Sequence, residues 1–380
     1  MKKKKIIASI IITVLLALFL VYGVTKLMEN NITRDKLKEL NYNEKTINLI
    51  IKHNIHDYIL ENNLSSNTLQ VALLENKFKI ENLELYSNFE YREDKNFINN
   101  LNKLNNLGYT IEEINILFNY LKPEEVSIIA NKENKKSNLT KFCTSKQFDI
   151  NNYDRYVLYK EKNPDYDYET VVNYVNINLD YEFYENIKDA LFKHTELVLI
   201  NKYYKVDENY IPKNLEPLDI SCAVNFNIPA VLDAKEAFEL LCADAKSIGL
   251  TIKAISGYRS YASQRLIYDR YLENDPIEIV DTYSARPGHS EHQSGYALDL
   301  YNEVVPYTRF GETDEYEWLK NNAHNYGFII RYQKGKEYIT GYKYEPWHIR
   351  YVGINVASYI FENNITLEEY IDKYKKGAIK

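Results

Sequence analysis

The chain has almost no cysteine: three residues in 380, Cys143, Cys222 and Cys242, none at C-x-x-C spacing. An odd, scattered set gives no disulfide framework and excludes a dithiol redox motif or a paired-cysteine zinc site. Cys222 and Cys242 are able to pair, yet nothing in the spacing requires it, and three buried free thiols are expected. A basic stripe is also missing. Lysine and glutamate are interspersed and the net charge is −7, so a row of phosphates would meet no matching row of cations, and nucleic acid is not an expected partner. Glycine (12 residues) and proline (9) are scarce beside tyrosine (36). That bias says little about function, so local patterns carry the reading.

One long apolar run is present. Met1 and four lysines precede residues 6 to 24, which are predominantly apolar and about as long as a helix must be to cross roughly 30 Å of hydrocarbon. The lysines are expected to stay in the cytoplasm and send the remaining chain outward. No small-x-small cleavage site closes the run, and no cysteine follows it for lipid attachment. Residues 1–28 are therefore expected to be an uncleaved, single-pass signal anchor that leaves the remaining chain on the extracellular face of the cell membrane.

The length allows two or three domains. Residues 31–140 read as short helices with a weak repeat: LKELNYNEKTINLI from Leu37 aligns with LNNLGYTIEEINIL from Leu104, pairing Tyr42 with Tyr109 and Ile47 with Ile114. Such units cannot bury an apolar face alone and so stack, which suits a spacer or an array that docks a protein partner. NKENKKSNLTKF, residues 131–142, reads as a linker, and residues 141–196 as a tyrosine-rich connecting region. From 197 the texture changes. LVLINKYYKV reads as a strand entering a loop, and AKEAFELLCADAKSIG as an amphipathic helix that Asp233 would cap. LTIKAIS, YALDL, FIIRY and HIRYV read as strands, and SYASQRLIYDRYLEN as a helix that Ser260 would cap. Short returns between strands outnumber crossovers. The expected fold of residues 197–370 is therefore α+β, with a small, mostly antiparallel sheet flanked by helices.

Two patterns in this region carry chemistry. In SEHQSGYALDL, His292 and Asp299 lie seven residues apart, about 10.5 Å of rise on a helix. Meeting at one ion therefore requires the chain to fold back, and Gly295 lies where a tight reversal would need it. In EPWH, Pro346 disfavours helix at Glu345, and a plain strand would send Glu345 and His348 to opposite faces. A turn or bulge would bring both to one cavity. Two histidines and one carboxylate form a catalytic rather than structural zinc set, because three protein ligands leave a fourth position open. Glu345 is then the candidate base, and Arg259, in the SGYRS stretch at the end of LTIKAIS, a cation for the developing oxyanion or a substrate carboxylate.

SGYRSYASQ, PGHSEHQSGYALD and YEPWHIRYVG resemble the signature stretches of VanY-type D-alanyl-D-alanine carboxypeptidases, zinc peptidases that trim cell-wall stem peptides. The resemblance covers residues 197 to 365. It implies one Zn2+ per chain held by His292, Asp299 and His348, with Glu345 as catalytic base, Arg259 catalytic and substrate-binding, and Gln264 and Ser290 contacting substrate. It further implies peptidoglycan stem peptides as substrates, with D,D-carboxypeptidase activity favoured over L,D activity on tetrapeptides or a silent wall-peptide binder. His289 is the competing ligand; Trp347 and Tyr344 are expected to wall the site, and Arg331 and Arg350 to be structural. Gln333 and Tyr296 depart from the family pattern and bear on subsite shape.

Overall fold

The computed structural model describes residues 2–377 and 379; Met1 of the expected anchor and residues 378 and 380 lie outside them. The chain divides into two compact units, Met1–Thr144 and Ser145–Lys380.

Among the described residues of the first unit every regular element is a helix. Helix α1 (Lys2–Glu39) has 38 residues, about 57 Å at 1.5 Å per residue and nearly twice the hydrocarbon thickness. Its stretch Thr13–Glu39 is long enough, and over an 18-residue window of mean hydropathy 1.3 apolar enough, to cross a membrane. Leu15, Leu16, Phe19 and Leu20 stand exposed there, whereas Leu37, near the helix end, is fully buried in the unit. The short helices that follow start on side-chain caps. Asn43 accepts from the Thr46 amide, Ser66 from that of Leu69, and Thr110 forms a reciprocal box with Glu113. Tyr42, Ile47, Leu104, Tyr109 and Ile114 are buried. Neutral amides join successive segments: Asn82 Nδ2 donates to Asn102 Oδ1 at 2.7 Å, and Asn105 donates back to Asn82.

The second unit is built around four strands: β1 (Lys253–Ser256), β2 (Ala297–Tyr301), β3 (Phe328–Tyr332) and β4 (Glu345–Tyr351). They form one sheet in the order β1-β2-β4-β3, with every pairing antiparallel. Against it pack α2 (Leu232–Ser247), α4 (Asp314–Asn322) and α5 (Ile354–Asn363), while α3 (Tyr261–Leu272) follows β1 and α6 (Leu367–Lys375) ends the chain. Phe238 and Leu241 of α2 bury against Leu298 and Leu300 of β2, Phe328 of β3 and Ile349 of β4. Burying each such side chain contributes on the order of 2 kcal/mol. Ser260 caps α3 by accepting from the Ser263 amide.

Two local expectations are corrected. Of LVLINKYYKV only Tyr204 and Lys205 form a strand, paired in parallel with Lys188 and Asp189. The reason is Asn201, whose side chain accepts from the amides of Tyr203 and Tyr204 and so turns the backbone out of a ladder. Asp233 lies inside the first turn of α2; the cap position is Val231, whose amide donates to the Gly295 carbonyl. The tyrosine-rich residues from Ser145 onward belong to the second unit. There Tyr156, fully buried in the helix Tyr153–Lys162, donates its hydroxyl hydrogen to Asn176 Oδ1 at 2.6 Å.

Candidate metal centre and active site

Sheet register brings two of the site residues together. Asp299 on β2 is the cross-strand partner of His348 on β4, a pairing that sets Cβ atoms about 5 Å apart on one face. Oδ1 of Asp299 lies 2.9 Å from Nδ1 of His348. His292 arrives from the other side, on the single 3-10 turn Glu291–Ser294 that precedes β2. Gly295 ends that turn at φ +75°, and a Cβ there would lie 2.9 Å from Val231 Cγ2, so the reversal demands glycine on both counts. Nε2 of His292 then sits 3.1 Å from Oδ2 of Asp299. One donor atom from each of His292, Asp299 and His348 lies within 4.8 Å of the others. Tetrahedral zinc with bonds of about 2.1 Å separates its ligands by about 3.4 Å, close to the spacing seen here.

The surroundings orient both imidazoles for this task. Nδ1 of His292 faces the Gly257 carbonyl at 2.8 Å, which puts the proton on Nδ1 and leaves the Nε2 lone pair toward Asp299. His348 is turned the opposite way. Its Nε2 points at Oε2 of Glu291 across 3.5 Å, both atoms are buried, and neither has a hydrogen-bond partner. A proton on that Nε2 directs the Nδ1 lone pair to the centre. Glu291 is held in turn by Arg331 Nε and Arg350 Nη1, each at 2.8 Å, and Arg331 also pairs with Glu368 at 2.6 Å. The donor set, the His292 ring fixed by the Gly257 carbonyl and the His348 ring aimed with Nε2 at Glu291 thus fit a divalent zinc ion.

Glu345 approaches from the same strand as His348. Between Ile330 and Tyr332 of β3 the partner on β4 advances from Ile349 to Glu345, so two extra residues of β4 bulge and Glu345 turns toward the same cavity. Its Oε2 lies 4.0 Å from His348 Nδ1. Burial pushes the Glu345 carboxyl up to about 8, against the pull of His348. For Asp299 burial acts in the same direction but is overridden, because His292 and His348 hold the carboxyl well below its ordinary range. Burial also lowers His292. Arg259 reaches in from β1's end: Nη2 donates to Ser256 Oγ at 2.8 Å and lies 3.7 Å from Asp299 Oδ2, while Nη1 donates to Gln264 Oε1 at 2.9 Å.

These groups line one cavity of about 280 Å³, together with Ser290, Gln264 and Trp347. Tyr307 meets the Trp347 ring edge-on at 5.3 Å on its wall. Other expectations fall elsewhere. Tyr344 packs against Tyr316 and is not among the cavity residues. His289 turns away: its Nδ1 lies 2.7 Å from the Asn201 carbonyl and its ring meets Tyr184 edge-on. Arg286 forms a two-pronged pair with Asp281. The residue that sequence reasoning missed is Glu291. Its signal was an acidic residue beside a ligand in a run that is otherwise short of charge, but the two arginines that bury with it are 40 and 59 positions away.

Comparison with known proteins accords with this geometry. Residues 231–354 match the family described as VanY, D-alanyl-D-alanine carboxypeptidase. The putative carboxypeptidase YodJ of Bacillus subtilis is 41% identical over 186 residues, 47% of this chain and 68% of that protein. The chain belongs to the VanY D-alanyl-D-alanine carboxypeptidase family. The bifunctional D-Ala-D-Ala dipeptidase and D-Ala-D-Ala carboxypeptidase VanXYC of Enterococcus gallinarum is 33% identical, over 46% of this chain and 93% of that protein. Among solved structures, the LdcB LD-carboxypeptidase is 37% identical, covering 50% of this chain and 91% of that one with a TM-score of 0.47.

Proposed function

We propose that this VanY-family chain is a zinc-dependent, membrane-anchored D,D-carboxypeptidase that removes the terminal D-alanine of peptidoglycan pentapeptide stems. The observation that carries the reading is the convergence of His292, Asp299 and His348 on one centre, with the Glu345 carboxylate and the Arg259 guanidinium lining the same cavity. His292 would bind through Nε2, His348 through Nδ1 and Asp299 through its carboxylate. When bound, zinc would supply positive charge that polarises the scissile carbonyl, acidifies water and draws the neighbouring Glu345 carboxyl down to its ionised form. Glu345 takes the proton of the attacking water as the carbonyl carbon becomes tetrahedral, and the Arg259 guanidinium faces the oxygen that gains charge. Glu345 then delivers the proton to the departing D-alanine amine. Ser290 and Gln264 contribute to the substrate-binding wall, Gln264 partly by fixing Arg259 at 2.9 Å.

The exposed apolar helix supports anchoring, and nascent stem peptides at the outer membrane face suit an enzyme held there with its catalytic unit outside. The helical residues 31–140 are proposed to act as a spacer that can dock a protein partner. The test is incubation of the full chain with pentapeptide and tetrapeptide muropeptides, with and without a chelator, followed by mass analysis. Chelator-sensitive loss of one alanine from the pentapeptide is expected. Exclusive cleavage of the tetrapeptide would replace the D,D assignment with an L,D one, and no cleavage of either would leave a wall-peptide binder.

A further inference from the structure

Cys222 and Cys242 take no part in the chemistry above, yet the fold brings them together. Cys222 ends the 3-10 turn Ile220–Cys222, and Cys242 lies on the buried side of α2. Both are buried in the same apolar cluster as Phe238, Leu241 and Ala254, and neither is bonded. The Ile220–Cys222 turn packs against α2, so the two cysteines belong to one contact between these elements. Both line a cavity of about 570 Å³ whose walls also include the exposed Lys246 and Glu303, so a small reagent has a route in. A disulfide needs sulfurs about 2.0 Å apart, and both cysteines sit in one apolar cluster and line one cavity where their two elements meet.

We propose that Cys222 and Cys242 form a covalent modification site: an intrachain disulfide, made by exchange with a small disulfide oxidant, that ties the Ile220–Cys222 turn to α2. The Cys222 thiolate attacks one sulfur of the oxidant and releases the other as a thiol. Cys242 then loses its proton, attacks the Cys222 sulfur of the mixed disulfide and expels the second thiol. Two protein thiols are oxidised to one disulfide, the oxidant's disulfide is reduced to two thiols, and the two protein protons end on those thiols. The thiols are unequal in the way such a sequence needs. The contact with Cys242 draws Cys222 down to about 7 against the effect of burial, whereas burial pushes Cys242 up, so Cys222 attacks first and Cys242 resolves. Cys143 is an internal control. It donates to the Thr140 carbonyl, and burial pushes it up to about 12.

The experiment treats full-length protein in detergent with oxidised glutathione at pH 8, then alkylates it in denaturant and maps the peptides by mass. The expected result is loss of two of the three alkylatable thiols, a crosslinked Cys222–Cys242 peptide and an alkylated Cys143, with a melting temperature higher by several degrees. In Cys242→Ser the reaction should stop at one glutathione on Cys222. Three alkylatable thiols in the treated protein, a persistent glutathione adduct on wild-type Cys222, or a bridge through Cys143 would each overturn the proposal. None of these outcomes bears on the peptidase reading, which rests on other residues.

Discussion

The two units solve the problem of buried polarity in opposite ways. Among the described residues of the N-terminal unit, the buried polar side chains are neutral: Thr46, Ser66, Thr68, Asn82, Asn100 and Asn102. The C-terminal unit buries Glu291, Arg331, Arg350, Glu368, His292, His348 and Glu345. A neutral amide needs only a partner, and each hydrogen bond it makes contributes about 1 kcal/mol. A buried charge costs several kcal/mol to desolvate, and that cost is offset only in a closed network. Such a network is weak evidence for stability. Its position suits the proposed centre: the Arg331, Arg350 and Glu291 cluster ends facing the rear nitrogen of His348, the imidazole proposed to bind zinc.

The comparison can be broken most severely at Glu345. If the buried charges of the second unit serve chemistry, Glu345→Ala should lower kcat/KM for alanine release by roughly 10³-fold or more while about one zinc per chain remains, read by metal analysis beside kinetics. Loss of the metal would make Glu345 a ligand. Next comes Glu291→Gln, which leaves Arg331 and Arg350 without their shared counter-charge. A destabilisation of about 3–5 kcal/mol in urea titration is expected, with zinc affinity weaker by roughly 10–100-fold in chelator competition. Unchanged zinc affinity at full folding would detach Glu291 from the centre.

His289 sharpens the contrast through pH. Burial lowers its imidazole from 6.5 to about 4, so the folded state holds it neutral. Its stabilising contribution is present above pH 6.5, up to ~3 kcal/mol, and is lost as pH falls through about 4. His289→Gln should flatten the stability profile between those values in thermal melts. The smallest effect belongs to the neutral unit: Thr110→Ala removes one capping box and should cost about 1 kcal/mol, with alanine release unchanged.

How much of this could be read in advance depended on how local each determinant is. Ser260 caps α3, Gly295 turns the chain and FIIRY is β3, because each is set by a residue and its near neighbours. Near 201 the reading failed because Asn201 side-chain acceptance replaces the ladder, and near 233 because the distant Asn214 carbonyl accepts from the first helical amide, that of Leu232. His292, Asp299 and His348 were legible as candidates from residue type and spacing, but that Asp299 faces His348 follows from strand register, which pairs segments 49 positions apart. The long-range Glu291, Arg331 and Glu368 pairs left no periodic trace for the same reason.

The most direct measurement is anomalous scattering at the zinc edge from crystals of the zinc-loaded protein. The account predicts one ion bound by His292 Nε2, the Asp299 carboxylate and His348 Nδ1, with the Glu345 carboxylate facing its open side. An ion held through His289, or no ion among these residues at saturating zinc, would contradict it.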